Sequence, residues 1–138
     1  MNWEKKNVWR KSGKDFMVEV FHATVNIPEN RYFDGKNRWC VYAYIYPKHR
    51  LFSTFHGDDH WQDATQNLPL HCGCTYLDYM MRKGEISCIK VGADYSHLYD
   101  DKFAHYDSED AASTVFSDAE ELFDYLSKVE LPPLPEEQ

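Results

Sequence analysis

Trp39-Cys40-Val41-Tyr42-Ala43-Tyr44-Ile45-Tyr46 alternates without a break. Trp39, Val41, Ala43 and Ile45 fall on one side and Cys40, Tyr42, Tyr44 and Tyr46 on the other, the period of two that marks a β-strand. Both sides are apolar enough to be covered, so the stretch reads as the central strand of a sheet. Its tyrosine side is expected to be core packed against a helix, or else a stacking surface for a ring.

Upstream, residues 5–11 alternate loosely, Ser12-Gly13-Lys14-Asp15 carries turn chemistry, and Phe16 to Asn26 is a β-prone run with Phe16, Val18 and Val20 on one face. This predicts a β-hairpin. Ile27 to Asn37, with Pro28, Asn30, Asp34 and Gly35, reads as a loop whose Arg31, Lys36 and Arg38 surround Tyr32 and Phe33. Downstream, Pro47-Lys48-His49-Arg50 ends the strand, Leu51 to Phe55 suits one helical turn, and Gly57-Asp58-Asp59-His60 opens a polar loop that runs past Trp61 to Pro69. A connection of that length in a small domain is more often functional than idle.

His71 to Met81 reads as a strand, Arg82-Lys83-Gly84-Glu85 as a turn and Ile86 to Val91 as the returning strand. Gly92 permits a sharp change of direction before Asp94. Phe103-Ala104-His105-Tyr106 is irregular, and Asp107 to Ala112 suits the start of a short helix. Ser117 with Glu120 forms a capping-box pattern, and Ala119, Leu122, Phe123, Leu126 and Val129 make one apolar stripe, so a helix is expected to begin there and pack on the sheet. Leu131-Pro132-Pro133-Leu134-Pro135 cannot continue it. The expected architecture is a single α+β domain over residues 1–130, an antiparallel sheet with a C-terminal amphipathic helix packed on it, followed by a flexible Pro/Glu tail over 131–138.

Composition narrows the function. The formal charge is -8, with ten Lys/Arg against five Asp/Glu in residues 1–50 and one against ten in residues 107–138. An acidic total argues against general nucleic-acid binding, which draws on Lys and Arg to neutralise phosphates. No apolar run approaches the roughly 18 residues that a membrane span needs. Four cysteines without an N-terminal apolar h-region point to a reducing cytoplasm and free thiols. Ten Tyr, eight Phe and four Trp suit β-structure and ligand-facing surfaces, and they are compatible with a homodimer.

If the second hairpin closes, its ends bring His71 beside Asp94, His97, Asp100 and Asp101. Imidazole and carboxylate together suit a divalent metal, or a general acid and base. Cys72 and Cys74, as Cys-x-Cys on one strand, would send both thiols to one face with Cys88 and Cys40 nearby, a weaker zinc pattern without a C-x-x-C knuckle. Nucleophilic catalysis by Cys72 or Cys74 lacks the helix N-terminus that lowers a thiol pKa. Lys48, His49 and Arg50 follow the tyrosine strand and suit a nucleotide-like anion. No Walker loop, G-x-G-x-x-G or G-x-S-x-G is present.

Pro47, His49, Leu51 and Phe52, then His71, Gly73, Thr75 and Tyr76, then Gly92, Asp94, His97 and Asp100 together resemble a family of small uncharacterised bacteriophage and prophage proteins. That family's motifs are Pro-x-His-Pro-Leu-aromatic, His-Gly-Gly-x-Thr-aromatic and Gly-x-Asp-x-x-His-x-x-Asp. Arg50 stands where the pattern has Pro, and Cys72 where it has the first Gly. The resemblance, over residues 39–101, implies a phage accessory protein in the host bacterial cytoplasm and supplies no activity.

The resulting expectation is a protein that binds and sequesters a small, nucleotide-derived ligand to counter host defence. Lys48, His49, Arg50, His71, Thr75, Asp94, His97 and Asp100 would line its site without a cofactor, and Tyr42, Tyr44 or Trp61 would stack on a base. One alternative is a metal-dependent hydrolase or phosphodiesterase holding a divalent metal through His71, Asp94, His97 and Asp100. Another is an acidic protein-binding inhibitor of a host factor.

Overall fold

The computed structural model describes residues 3–25, 35–96 and 101–130. The proposed tail, most of the first loop with Arg31, Tyr32 and Phe33, and both His97 and Asp100 lie outside the described residues. Strands β1 (Trp3–Gly13), β2 (Phe16–Val25), β3 (Asn37–Ile45), β4 (Tyr76–Arg82) and β5 (Glu85–Asp94) form one antiparallel sheet in the order β1-β2-β3-β5-β4. A 3-10 turn (Phe52–Thr54) and the short helices α1 (Asp63–Gln66) and α2 (Asp101–Ala104) lie in the connections, and α3 (Ser113–Lys128) packs on the sheet. The α+β architecture with its C-terminal helix is as the sequence pattern indicates, and the Trp39 strand is central. No described helix is long and apolar enough to cross a membrane.

The register explains which face the helix covers. Phe16, Val18 and Val20 of β2 pair with Ile45, Ala43 and Val41 of β3, which pair in turn with Ile89, Val91 and Ala93 of β5. All nine are at most 2 % exposed. Val115, Ala119, Leu122 and Leu126 of α3 close over that surface. Burying each aliphatic side chain of this kind contributes about 1.5–3 kcal/mol, so this face carries most of the stabilisation. The expectation that the tyrosine side is the helix-covered core is therefore corrected. The tyrosine side also holds Lys90 and Asp94, whose charges are cheaper to leave where no helix strips their water, and Glu19, which is buried but bonded to Arg10 and Tyr44.

Helix α2 and the turn over residues 108–112 replace the irregular segment and the helix start expected there, and two element starts differ most from the sequence reading. Helix α3 begins at Ser113, one turn before the Ser117 box, because Ala112 and Val115 are both fully buried and extend the apolar stripe backward. Its N-cap position is Ala112, with no side-chain cap, and the preceding turn is held by the Ser108 carbonyl and hydroxyl, which accept from Ala112 and Ala111 N–H. The strand expected from His71 begins only at Tyr76. Cys72 and Gly73 have φ of 57° and 88°, so residues 71–73 turn instead of extending.

The turn expected at Arg82-Lys83-Gly84-Glu85 is present, and positive φ at Lys83 and Gly84, 53° and 80°, is that of a type I′ hairpin. The polar loop before Pro69 is ordered from within. Buried Gln62 donates through Nε2 to the carbonyls of His56 and Asp59 at 2.7 Å each and accepts from His56 N–H at 3.0 Å. Thr65, also buried, completes a reciprocal cap with Gln62 at the start of α1.

Candidate functional site

The face of the sheet opposite α3 is built by the second set of register partners. Across it run Glu19, Tyr42, Gly92 and Tyr76 in one row, Phe21, Cys40 and Asp94 in the next, and Ala23 with Arg38 beyond. Met17, Tyr44, Lys90 and Asp78 form the row on the other side. A groove of about 570 Å³ follows these rows, lined by Phe21, Arg38, Cys40, Tyr42, Tyr76, Lys90, Asp94 and Ser96.

Gly92 shapes its floor. A Cβ there would collide with the Val41 carbonyl oxygen and with the Tyr42 ring, so only glycine lets that ring lie down across the strand. Phe21 and Tyr76 meet Tyr42 edge-on, with centroids at 6.2 and 5.4 Å. The Lys90 ammonium sits 4.2 Å above the Tyr42 centroid, 5.4 Å from that of Tyr44 and 5.3 Å from that of Tyr76. No carboxylate among the described residues lies within ion-pairing distance of Lys90 or Arg38. Arg38 Nη1 donates to the carbonyls of Gly35 and Asn37 at 2.6 and 2.9 Å, which fixes the guanidinium at the groove's far end.

Next to the groove, buried Glu19 accepts from Arg10 Nε at 2.8 Å and from the Tyr44 hydroxyl at 3.1 Å. Burial, reinforced by Glu19, pushes the Tyr44 hydroxyl well above the ordinary tyrosine range, and burial does the same to Tyr42 with help from Cys40. Burial also raises the Cys40 thiol. At neutral pH the groove thus presents neutral phenols and a protonated thiol, which are hydrogen-bonding and packing groups.

The described residues among those expected to form one site are distributed over three places. Asp94 faces the groove, where its Oδ1 accepts from Ser96 N–H at 3.3 Å, and Thr75 meets it at the edge by accepting from Asp94 N–H at 3.4 Å. His71 is on the helix side, stacked on Tyr95 at 4.4 Å and edge-on to Phe103 at 5.4 Å, while the Tyr95 hydroxyl donates to Asp118 of α3 at 2.6 Å. Asp94, the last residue of β5, lines the groove while Tyr95, the next residue, sits in the helix-side core, so the sheet separates His71 from Asp94.

Lys48, His49 and Arg50 stand at the far end of the sheet, beside the C-terminus of α3. The Cys-x-Cys pattern does not put two thiols on one face, since Cys72 is exposed in a turn and Cys74 is buried with Sγ donating to the Tyr76 carbonyl. Among the described residues no group of three His, Cys, Asp or Glu is placed to hold a metal ion.

Phe21, Lys90 and Ser96 of this groove were not singled out by sequence reasoning, and Cys40 and Tyr76 were named for other patterns, a zinc site and a family motif. The available signal was parity: Lys90, Gly92 and Asp94 share one side of β5 by alternation alone. Comparison with protein-family models, with curated proteins and with solved structures gave no match for this chain.

Proposed function

We propose that this protein binds and sequesters a small anionic ligand bearing a planar ring, a nucleotide-derived molecule, in the groove between Arg38 and Lys90. The observation that carries the reading is the Lys90 ammonium, held over three tyrosine rings with no carboxylate among the described residues within ion-pairing distance. A cation–π contact at an exposed site is worth about 0.5–1 kcal/mol, whereas a hydrogen bond to a charged group is worth about 1.5–3 kcal/mol. An incoming phosphate therefore draws Lys90 off Tyr42. The ring face it leaves, backed by Gly92, then accepts the base, while Arg38 and Asp94 meet a second anionic group and the ligand's N–H or hydroxyl donors.

Neutral phenols and a protonated thiol favour holding a ligand over transforming it. The metal-dependent hydrolase alternative asks His71 and Asp94 to share an ion from opposite faces of the sheet. The resemblance to phage and prophage proteins supports a setting in the bacterial cytoplasm, where removing a nucleotide signal would blunt a host defence.

The test is calorimetric titration with adenosine and guanosine monophosphates and with cyclic dinucleotides. Tyr42→Ala and Lys90→Gln should each weaken binding by about tenfold or more, the range for loss of one base–aromatic stack. Bound ligand should slow maleimide labelling of Cys40 and be released unchanged on heating. Equal affinity in wild type and both variants, or conversion of the ligand to a product, would sink the proposal.

A further inference from the structure

We infer that the pocket at the C-terminal end of α3 is a second, independent site, for a small polyphosphate anion. It encloses about 580 Å³, within the range of small-molecule pockets, and three separate segments build it. Lys14 comes from the β1–β2 turn, Lys48 and Arg50 from the turn after β3, and Lys128 from the last turn of α3.

Against these four cations the lining holds two carboxylates, Asp15 and Glu130, so a locally positive concavity exists on a chain of formal charge -8. Glu130 is spent on Arg50 at 3.7 Å, and among the described residues Lys14, Lys48 and Lys128 have no carboxylate within ion-pairing distance.

The negative end of a helix would ordinarily oppose an anion at this place. Two of its last carbonyls are already matched within the fold. His49 bonds the Leu126 carbonyl at 3.0 Å, Val129 N–H donates to that of Tyr125 at 2.8 Å, and Arg50 reaches that of Val129 at 3.5 Å. His49 thereby also pins the Lys48 and Arg50 turn against the helix, so the cations converge without waiting for a ligand.

Size selects the occupant. At physiological salt, charges beyond about 8 Å are screened, so a compact anion inside the pocket meets its lysines and not the acidic remainder. A long polyanion would run onto that remainder. Lysine ammoniums are rotatable point charges, which suits clustered phosphate oxygens.

The probe is inorganic tripolyphosphate, titrated calorimetrically into the full chain at physiological ionic strength. Wild type should bind, and Lys48→Gln combined with Lys128→Gln should weaken binding at least tenfold. Lys14→Glu, on a different segment, should do the same, with circular dichroism checking that each variant is folded. The groove variant Lys90→Gln should bind tripolyphosphate as wild type does. The inference is overturned if no heat is seen, if the pocket variants bind unchanged, if sulfate at equal charge competes fully, or if Lys90→Gln alone abolishes binding. These readouts leave Cys40 protection by nucleotides untouched, so this site and the groove fail or stand separately.

Discussion

His49 uses both ring nitrogens inside the fold. Nδ1 accepts from Leu51 N–H at 3.1 Å, Nε2 lies 3.0 Å from the Leu126 carbonyl, and the ring edge packs on Phe16 at 5.5 Å. The bonds assign the neutral tautomer with the proton on Nε2. His49→Ala would orphan a buried N–H and a helix-end carbonyl and leave a cavity, at a cost of about 2–4 kcal/mol. Urea unfolding should show that loss while nucleotide binding in the groove stays at the wild-type level; a change below about 0.5 kcal/mol, the usual surface range, would refute the role as a tie. The sequence shows a histidine between two cations after a strand, a fair pattern for an anion site. Its partner is a carbonyl 77 positions away, and no local pattern announces that. Asp94 is the opposite case: its type and its parity with Lys90 were both readable, and it does face the groove.

Periodicity was a good guide to the elements and a poor guide to their ends. Both hairpins and the helix were legible because apolar spacing of two and of three to four follows from which side is buried. The start of α3 was not, because the Ser117 and Glu120 pair imitates a capping box while Ala112 and Val115, one turn earlier, are the residues that the core covers. Ser117 is thus an exposed interior position. The two readings differ in sign for Ser117→Ala. Loss of a true N-cap would cost about 1 kcal/mol, whereas alanine inside a helix gains up to about 0.5 kcal/mol by propensity. The structure requires the gain, seen as a small rise in the urea midpoint with an unchanged slope. A fall of about 1 kcal/mol would instead put the helix start at Ser117.

The whole molecule is a sheet with a helix on one face and tyrosines on the other, and that asymmetry sets how it responds to alkali. Strand order was the part hidden from the sequence, because alternation cannot say whether β4 or β5 lies beside β3; the burial of Val91, Gly92 and Ala93 on both sides answers it. Once β5 is central, Tyr42, Tyr44, Tyr46 and Tyr76 share the open face, and burial raises the pKa of each hydroxyl. The thiols of Cys40, Cys74 and Cys88 are raised for the same reason. A group whose folded pKa exceeds its unfolded one keeps its proton in the native state after the unfolded chain has lost it, so the native state binds more protons and stability falls as pH rises. The stabilisation is complete below about pH 8, declines first as the unfolded thiols ionise near 8.5, and declines more steeply past about 10, where unfolded tyrosines ionise. Urea midpoints measured from neutral pH to about 11 should trace those two steps. Tyr44→Phe removes one of the most shifted hydroxyls, so its curve should be shallower above about pH 10 even though loss of the Glu19 bond lowers its neutral-pH midpoint. A wild-type midpoint that stays flat through this range would mean that the tyrosine face is as open to water in the folded chain as in the unfolded one, and the groove would lose the desolvated rings on which a base is proposed to stack.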